Sequence, residues 1–181
     1  MGVLDLLQQY VNARPDQVTD DAADHFHEVA KTAPPETVGQ GLAAAFRSDQ
    51  TPPFAQMVSH LFGRADPQQQ TGMVNELLAA LGPGVMAALA SGKVQGWSSA
   101  AQPVSNPLQG GPGTPQLTPQ QVGQITPEQV QQLAEHAERQ DPSVIDKMSS
   151  FYAQHPGLIK TLGGAALTIA LSKIASNMRN A

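Results

Sequence analysis

The sequence predicts an all-α protein in which two small helical bundle units are joined by an uncharged linker rich in Pro, Gly and Gln. On both sides of this linker, apolar residues recur at intervals of three and four, the period of an amphipathic helix. Between Lys93 and Glu128, 34 residues carry no charged side chain and include six prolines and five glycines. Because this composition does not sustain a helix, we divide the chain into residues 1–93, a flexible linker 94–125 and residues 126–181.

The acidic first unit is predicted to contain five to six short helices. Residues 3–13 form the first helix, which Arg14-Pro15 ends. A second helix is predicted from Asp16 to Lys31, because acidic side chains in its first turns favour the positive end of the helix dipole. Phe26 and Val29 face the core in this second helix. The apolar stripe of the first helix consists of Val3, Leu4, Leu7, Tyr10 and Val11.

Two Pro-Pro pairs precede the next predicted helices and indicate a degenerate helical repeat. One helix follows Pro34-Pro35 and another follows Pro52-Pro53. Asp66-Pro67 then supplies the N-cap and first-turn residues of a longer helix that ends at Gly82. A short Ala-rich helix ending near Gly92 completes the unit. The apolar residues predicted to face inward are Leu42, Phe46, Met57, Leu61, Phe62, Met73, Leu77, Leu78 and Leu81.

The linker carries the only Trp of the chain and ends in a repeated helix-start motif. We expect Trp97 to fold back onto the first unit, since a lone Trp most often buries its ring. The motif Leu-Thr-Pro-Gln-Gln-Val begins at Leu117, and Ile-Thr-Pro-Glu-Gln-Val begins at Ile125. In each copy Thr can cap a helix, Pro fits the first turn and Gln can complete a capping box. Gly123 should stop the first copy after one turn, whereas the second copy opens a helix that reaches Gln140.

The C-terminal unit is predicted to contain three helices, of which the last is apolar on almost every face. The middle helix follows Asp141-Pro142-Ser143 and ends at His155-Pro156-Gly157. The last helix is predicted from Leu158 to Met178, packed beneath the two helices that precede it. Small side chains recur at every fourth residue along one edge, so another helix could approach closely there. This stripe, predicted to serve helix packing or self-association, consists of Gly164, Thr168, Ser172 and Ser176.

The composition argues against nucleic-acid binding and against several enzyme classes. The net charge is −5, and most acids lie in the first unit, whereas phosphate binding needs a clustered basic face. The chain has no cysteine, which excludes disulfides and thiolate chemistry. The N-terminal segment lacks the basic region and the cleavage site of a signal peptide. We therefore expect a cytoplasmic protein without a cofactor or a small-molecule substrate.

Two groups of titratable residues have the spacing of a functional site, and both also have a simpler interpretation. Asp21, His25 and Glu28 would share one helical face and could bind a metal ion. The same acids fit an exposed helix start, which is the interpretation we favour. Glu135 and the carboxylate three residues later could do acid–base chemistry, but a surface pair of Glu135 with Arg139 is simpler. We predict that the protein is not an enzyme and holds no metal.

The last helix offers an alternative function at a membrane surface. Twelve uncharged residues separate Lys160 from Lys173, a length of about 18 Å in a helix, which is too short to span a bilayer comfortably. Shallow binding at the inner membrane would place Lys160, Lys173 and Arg179 at anionic lipid headgroups. Such binding would weaken as the salt concentration rises.

Three short stretches resemble the YidB-like group of small helical bacterial proteins. They are Met-Gly-Val-Leu-Asp-Leu-Leu at residues 1–7, Phe-Gly-Arg-Ala-Asp-Pro-Gln-Gln at 62–69 and Thr-Pro-Glu-Gln-Val at 126–130. The resemblance implies an all-helical, homeodomain-like unit without an established activity, and it transfers no functional residues. It also motivates a helix-turn-helix DNA-binding module in residues 126–155, although the predicted helices of that segment are not basic.

Taken as a whole, the sequence predicts a non-enzymatic helical interaction or scaffold protein. The C-terminal unit would mediate formation of a homo-oligomer or binding of a protein partner. Peripheral binding of anionic lipid through the last helix is the first alternative, and the DNA-binding module in residues 126–155 is the second.

Overall fold

The structure, a computed structural model, describes residues 2–11, 21–82, 116–160 and 162–180, and these residues form ten α-helices without a β-strand. The all-α class is therefore confirmed. The first five helices are α1 (Val3–Tyr10), α2 (Ala22–Thr32), α3 (Pro35–Phe46), α4 (Phe54–Arg64) and α5 (Pro67–Leu81). The other five are α6 (Pro119–Val122), α7 (Pro127–Gln140), α8 (Val144–Gln154), α9 (Pro156–Ile159) and α10 (Gly164–Asn180).

Several helices begin where their capping residues predict. At the start of α5, Asp66 Oδ1 accepts a hydrogen bond from Gln69 N at 2.9 Å, and Gln69 Oε1 accepts one from Asp66 N at 3.2 Å. These two bonds satisfy backbone donors that a helix start leaves without partners. The start of the second helix was predicted wrongly, because α2 begins at Ala22, with Asp21 as its N-cap residue.

Both copies of the Thr-Pro motif start a helix, as predicted. Gln121 Oε1 accepts a hydrogen bond from Thr118 N at 2.9 Å, and Gln129 Oε1 accepts one from Thr126 N at 2.9 Å. The first copy forms only the single turn of α6, which ends at Gly123. The second copy opens α7, which continues to Gln140. A helix is thus present before residue 126, within the segment assigned to the linker.

The described helices bury one common set of apolar side chains. Helix α3 lies at the centre, where it contacts α8 and α10, while α4 packs against α7. Helix α5 contacts α6, α7 and α8, and α1 and α2 pack against α10. Buried residues from before residue 83 and after residue 115 belong to the same cluster. This packing differs from the expected separate bundles, because the apolar faces of the later helices are covered mainly by the earlier ones.

The last helix differs from its prediction in two respects. Residues 156–159 form the short helix α9, and α10 begins only at Gly164. The adjacent glycines 163 and 164 explain this late start, since glycine disfavours helix propagation. The cover of the last helix was also predicted wrongly. Its neighbours are chiefly α3, α1 and α2 rather than the two helices that precede it.

Some predictions fall on residues outside the described ranges. They are the Ala-rich helix near Gly92, the position of Trp97 and most of the predicted linker.

The described end of that linker is attached to α5. Leu117 N donates a hydrogen bond to Asn75 Oδ1 at 2.8 Å, and Asn75 Nδ2 donates one to the Leu117 carbonyl at 3.2 Å. These two bonds fix where the second half of the chain enters the fold.

Candidate binding groove

The predicted stripe of small residues on α10 is partly buried within the protein. Thr168 is fully buried, and its hydroxyl donates a hydrogen bond to the Gly164 carbonyl at 2.9 Å. Gly164, Ser172 and Ser176 are each partly exposed. The stripe is therefore not one continuous exposed edge. A role of these residues in self-association stays a prediction.

Helix α3 approaches α10 closely on a different face. A Cβ atom added to Gly41 of α3 would lie 2.6 Å from Ile174 Cγ1 and 2.7 Å from the Ala170 carbonyl oxygen. Only a residue without a side chain fits at this distance. Sequence reasoning missed Gly41, although a glycine inside a helix weakens that helix and therefore indicates a packing role.

An apolar groove of about 290 Å³ lies between α4 and the segment that leads into α10. Met57, Leu162 and Ala166 are buried and form its floor, while Pro52 and His60 stand exposed at its sides. This volume lies just below the usual range for small-molecule sites, and it suits one or two apolar side chains. We call this feature the α4–α10 groove. Its lining residues are Pro52, Gln56, Met57, His60, Leu162, Gly163, Ala165 and Ala166.

The groove exists because α4, the start of α10 and the loops that precede them leave a space between them. The inner face of α4 buries Phe54, Val58 and Leu61 in the core, which turns Gln56 and His60 outward. Opposite them, Gly163 supplies no side chain. A Cβ atom at Gly163 would meet nothing within 4 Å. The backbone there does not adopt a positive φ, so a larger residue could occupy this position without strain.

Two of the three metal candidates, His25 and Glu28, have other side-chain partners in the structure. His25 Nδ1 lies 2.7 Å from the Tyr10 hydroxyl, which joins α2 to α1. Lys31 Nζ donates a hydrogen bond to Glu28 Oε1 at 3.3 Å. Asp21 is exposed at the start of α2. Across the described ranges, no group of three His, Cys, Asp or Glu side chains has the arrangement of a metal site.

Charged groups elsewhere form surface pairs. Arg139 and Glu135 form the predicted pair, with 3.7 Å between Nη2 and Oε2. Arg47 at the end of α3 binds Asp146 of α8 through two hydrogen bonds, each of 2.8 Å. The hydrogen bond from Arg47 lowers the pKa of Asp146, slight burial opposes this, and the guanidinium charge adds to the lowering. This pair connects the two halves of the chain.

Tyr152 places a large side chain with a polar hydroxyl in the core. Its ring packs against Phe46, and burial raises the pKa of its hydroxyl. The hydroxyl is fully buried and has no hydrogen-bond partner among the described residues. Tyr152 does not line the α4–α10 groove. Its position therefore indicates a packing role rather than acid–base chemistry at the groove.

The two alternative functions gain little from the packing. Lys160, Lys173 and Arg179 are exposed. Ile169 and Met178 are partly exposed, but Leu167, Leu171 and Ile174 of α10 are buried against protein. Lipid could reach them only after α10 had left its neighbours. None of the helices in the described ranges combines the length and hydropathy needed to cross a bilayer. In residues 126–155, α8 lies against both α3 and α5, which leaves little of it for a DNA groove.

Comparison with known protein families, characterised proteins and solved structures finds no match to this chain.

Proposed function

We propose that this chain is a non-enzymatic helical interaction protein that binds another protein through the α4–α10 groove. One observation carries the proposal. The groove is an apolar recess at the surface, with Met57 and Leu162 among its lining residues, whereas Leu167, Leu171 and Ile174 of α10 are covered by protein. A partner that inserts an aliphatic or aromatic side chain would remove this recess from water.

The size of the groove limits the affinity that it can supply. Burying one Leu or Phe side chain contributes about 1.5–3 kcal/mol, which alone is far from the roughly 8 kcal/mol of a micromolar complex. The groove would therefore act as a central anchor point, with weaker contacts around it. His60 and Gln56 at its sides can provide hydrogen bonds to the partner's backbone. A short peptide with one apolar anchor is the simplest such partner.

Gly163 permits a direct test of the groove. Gly163→Leu would place an apolar side chain in or beside the recess, and the space around its Cβ predicts that the variant folds. Gly157→Leu is the matched control, because Gly157 is exposed, its Cβ also meets nothing within 4 Å, and it does not line the groove. Both substitutions add the same apolar side chain to a neighbouring part of the chain.

The experiment is selection from a displayed random peptide library on the wild-type protein. Enriched peptides should share one aliphatic or aromatic anchor residue. Their affinity should fall about tenfold or more for Gly163→Leu, which corresponds to the loss of one buried side chain, and should be unchanged for Gly157→Leu. Absence of enriched peptides, or equal binding to both variants, would show that the groove is not a binding site. Light scattering of wild type and Gly163→Leu would reveal whether a second copy is the partner.

A further inference from the structure

The two described halves of the chain meet along one extensive interface. The earlier half comprises α1–α5, and the later half comprises α6–α10. Each long helix of the later half lies against the earlier half: α7 on α4, α8 between α3 and α5, and α10 on α3, α1 and α2. Contact between α7 and α8 is slight by comparison. The later half therefore depends on the earlier half for its core.

We propose that residues 116–180 bind the surface formed by α1–α5 non-covalently. The two halves then assemble into this fold even when no covalent connection joins them. The same surface then accepts residues 116–180 of a second copy of this chain. The partner of the α1–α5 surface is thus a defined segment with apolar faces. The α4–α10 groove lies at an edge of this interface, since Met57 belongs to the earlier half and Leu162 to the later half, but the proposal does not require that the groove bind anything.

The apolar side chains of the later half support this assignment. Alone, the later half would expose aliphatic side chains from three helices, because the helices that cover them belong to the earlier half. Burial of apolar surface on this scale is the main favourable term in protein association. The fully or almost fully buried side chains of the later half include Val130, Leu133, Val144, Met148, Tyr152, Ile159, Leu167, Leu171 and Ile174.

Specific contacts fix how the two halves fit together. Arg47 and Asp146 form a bidentate pair across the interface, with both distances at 2.8 Å. Asn75 forms two hydrogen bonds with the backbone of Leu117. Gly41 lets the α3 backbone approach α10. Such polar pairing and close fit distinguish a specific interface from non-specific apolar contact.

The length of the intervening chain decides which copy is bound in the intact protein. Residues 83–115 could reach about 110 Å when extended. Leu117 is hydrogen-bonded to Asn75, which lies seven residues before Gly82 along α5, a distance of about 10 Å. The intervening chain therefore has to bridge only about 10 Å between Gly82 and Leu117. A covalent connection of this length holds the two segments at an effective concentration of about 1 mM, so the intact chain binds its own segment at micromolar concentrations. After cleavage this advantage is lost, and exchange between copies becomes possible.

The test uses the full chain with a protease site introduced between residues 100 and 110. Cleaved protein should elute at the mass of the intact chain under native conditions and separate into two pieces only in denaturant. At stabilities typical of domains, the two pieces should bind with a Kd of about 1 nM. When cleaved protein is mixed with cleaved protein whose later piece carries an isotope label, native mass spectrometry should show mixed pairs within about a day.

A variant pair ties the result to this interface. Gly41→Ala should weaken association of the pieces by about tenfold or more, because the added Cβ meets the α10 backbone. Gly63→Ala is the control, because a Cβ there would lie 3.6 Å from Pro127 Cγ, an ordinary contact. Pieces that separate or unfold after cleavage would overturn the proposal. Pairs that never exchange, or an equal effect of the two substitutions, would do the same.

Discussion

Replacing Gly41 with alanine should destabilise the intact protein, even though alanine is the better helix former. Gly41 lies in α3 where this helix crosses α10. An added Cβ would lie 2.6 Å from Ile174 Cγ1 and 2.7 Å from the Ala170 carbonyl oxygen. The Ile174 side chain can change its rotamer, but the carbonyl oxygen belongs to the α10 backbone. The two helices must therefore separate by about 0.7 Å to restore ordinary contact.

Two opposing contributions determine the change in the free energy of unfolding. Exchange of glycine for alanine inside a helix stabilises by about 1 kcal/mol. An extra methyl group forced into a well-packed core destabilises by about 1–3 kcal/mol. The clash at Gly41 involves backbone and separates helices that bury Leu42 and Leu171, so the upper end of that range applies. The net loss is about 2 kcal/mol, or about 4–8 °C in Tm for a chain of this size.

Gly63→Ala is the comparison that separates the cost of the packing clash from the gain in helix propensity. Gly63 also lies in a helix that packs on the later half, but its Cβ would make only an ordinary contact with Pro127. Because Gly63 lies in the last turn of α4 rather than in its interior, this variant should gain only about 0.5 kcal/mol from helix propensity. Urea unfolding followed by circular dichroism at 222 nm measures both free energies. A Gly41→Ala protein as stable as wild type or Gly63→Ala would refute the argument from close approach.

Two further substitutions test single contacts. Tyr152→Phe should raise the free energy of unfolding by about 1 kcal/mol, since it removes a buried hydroxyl without a partner in the described structure; a lower Tm in calorimetry would show that the hydroxyl is bonded. Asp146→Asn should lower the free energy of unfolding by about 0.5–1 kcal/mol at pH 7. The loss is small because the ion pair with Arg47 is about half exposed to water. Because the pKa of Asp146 is lowered in the folded protein, this stabilisation is fully present above pH 3.8, the ordinary pKa of the group. It is lost as the pH falls through the lowered pKa. A difference between Asp146→Asn and wild type that does not diminish as the pH is lowered below 3.8 would contradict this assignment.

The sequence predicts helix ends well where the responsible hydrogen bonds are local. The capping box at Asp66 and the Thr-Pro starts at Thr118 and Thr126 involve residues three positions apart. Gly123 stops α6 within the same short range. The surface pair of Glu135 with Arg139 spans one helical turn. These interactions depend on a few neighbouring residues, so the sequence contains all the information that they need.

Which helices pack together is not local, and here the prediction was incomplete. The apolar period of α10 predicts that it is buried, but an apolar face does not specify which helix covers it. The informative signal was the pair Gly39 and Gly41 in α3, where close neighbours are Ser150 of α8 and Ala170 of α10. The α4–α10 groove forms where Pro52 and Gly163 line the same recess from two distant parts of the sequence. No periodicity relates residues so distant in sequence.

The central position of α3 has a consequence for how the protein opens. Seven of its twelve residues are buried, and they lie beneath helices from the other half of the chain. Water can reach the peptide N–H groups of these seven residues only when α8 and α10 have both moved away. Hydrogen exchange at these amides should therefore proceed through global unfolding alone. The two halves of the sequence should then melt in one cooperative transition, despite the long chain segment between them.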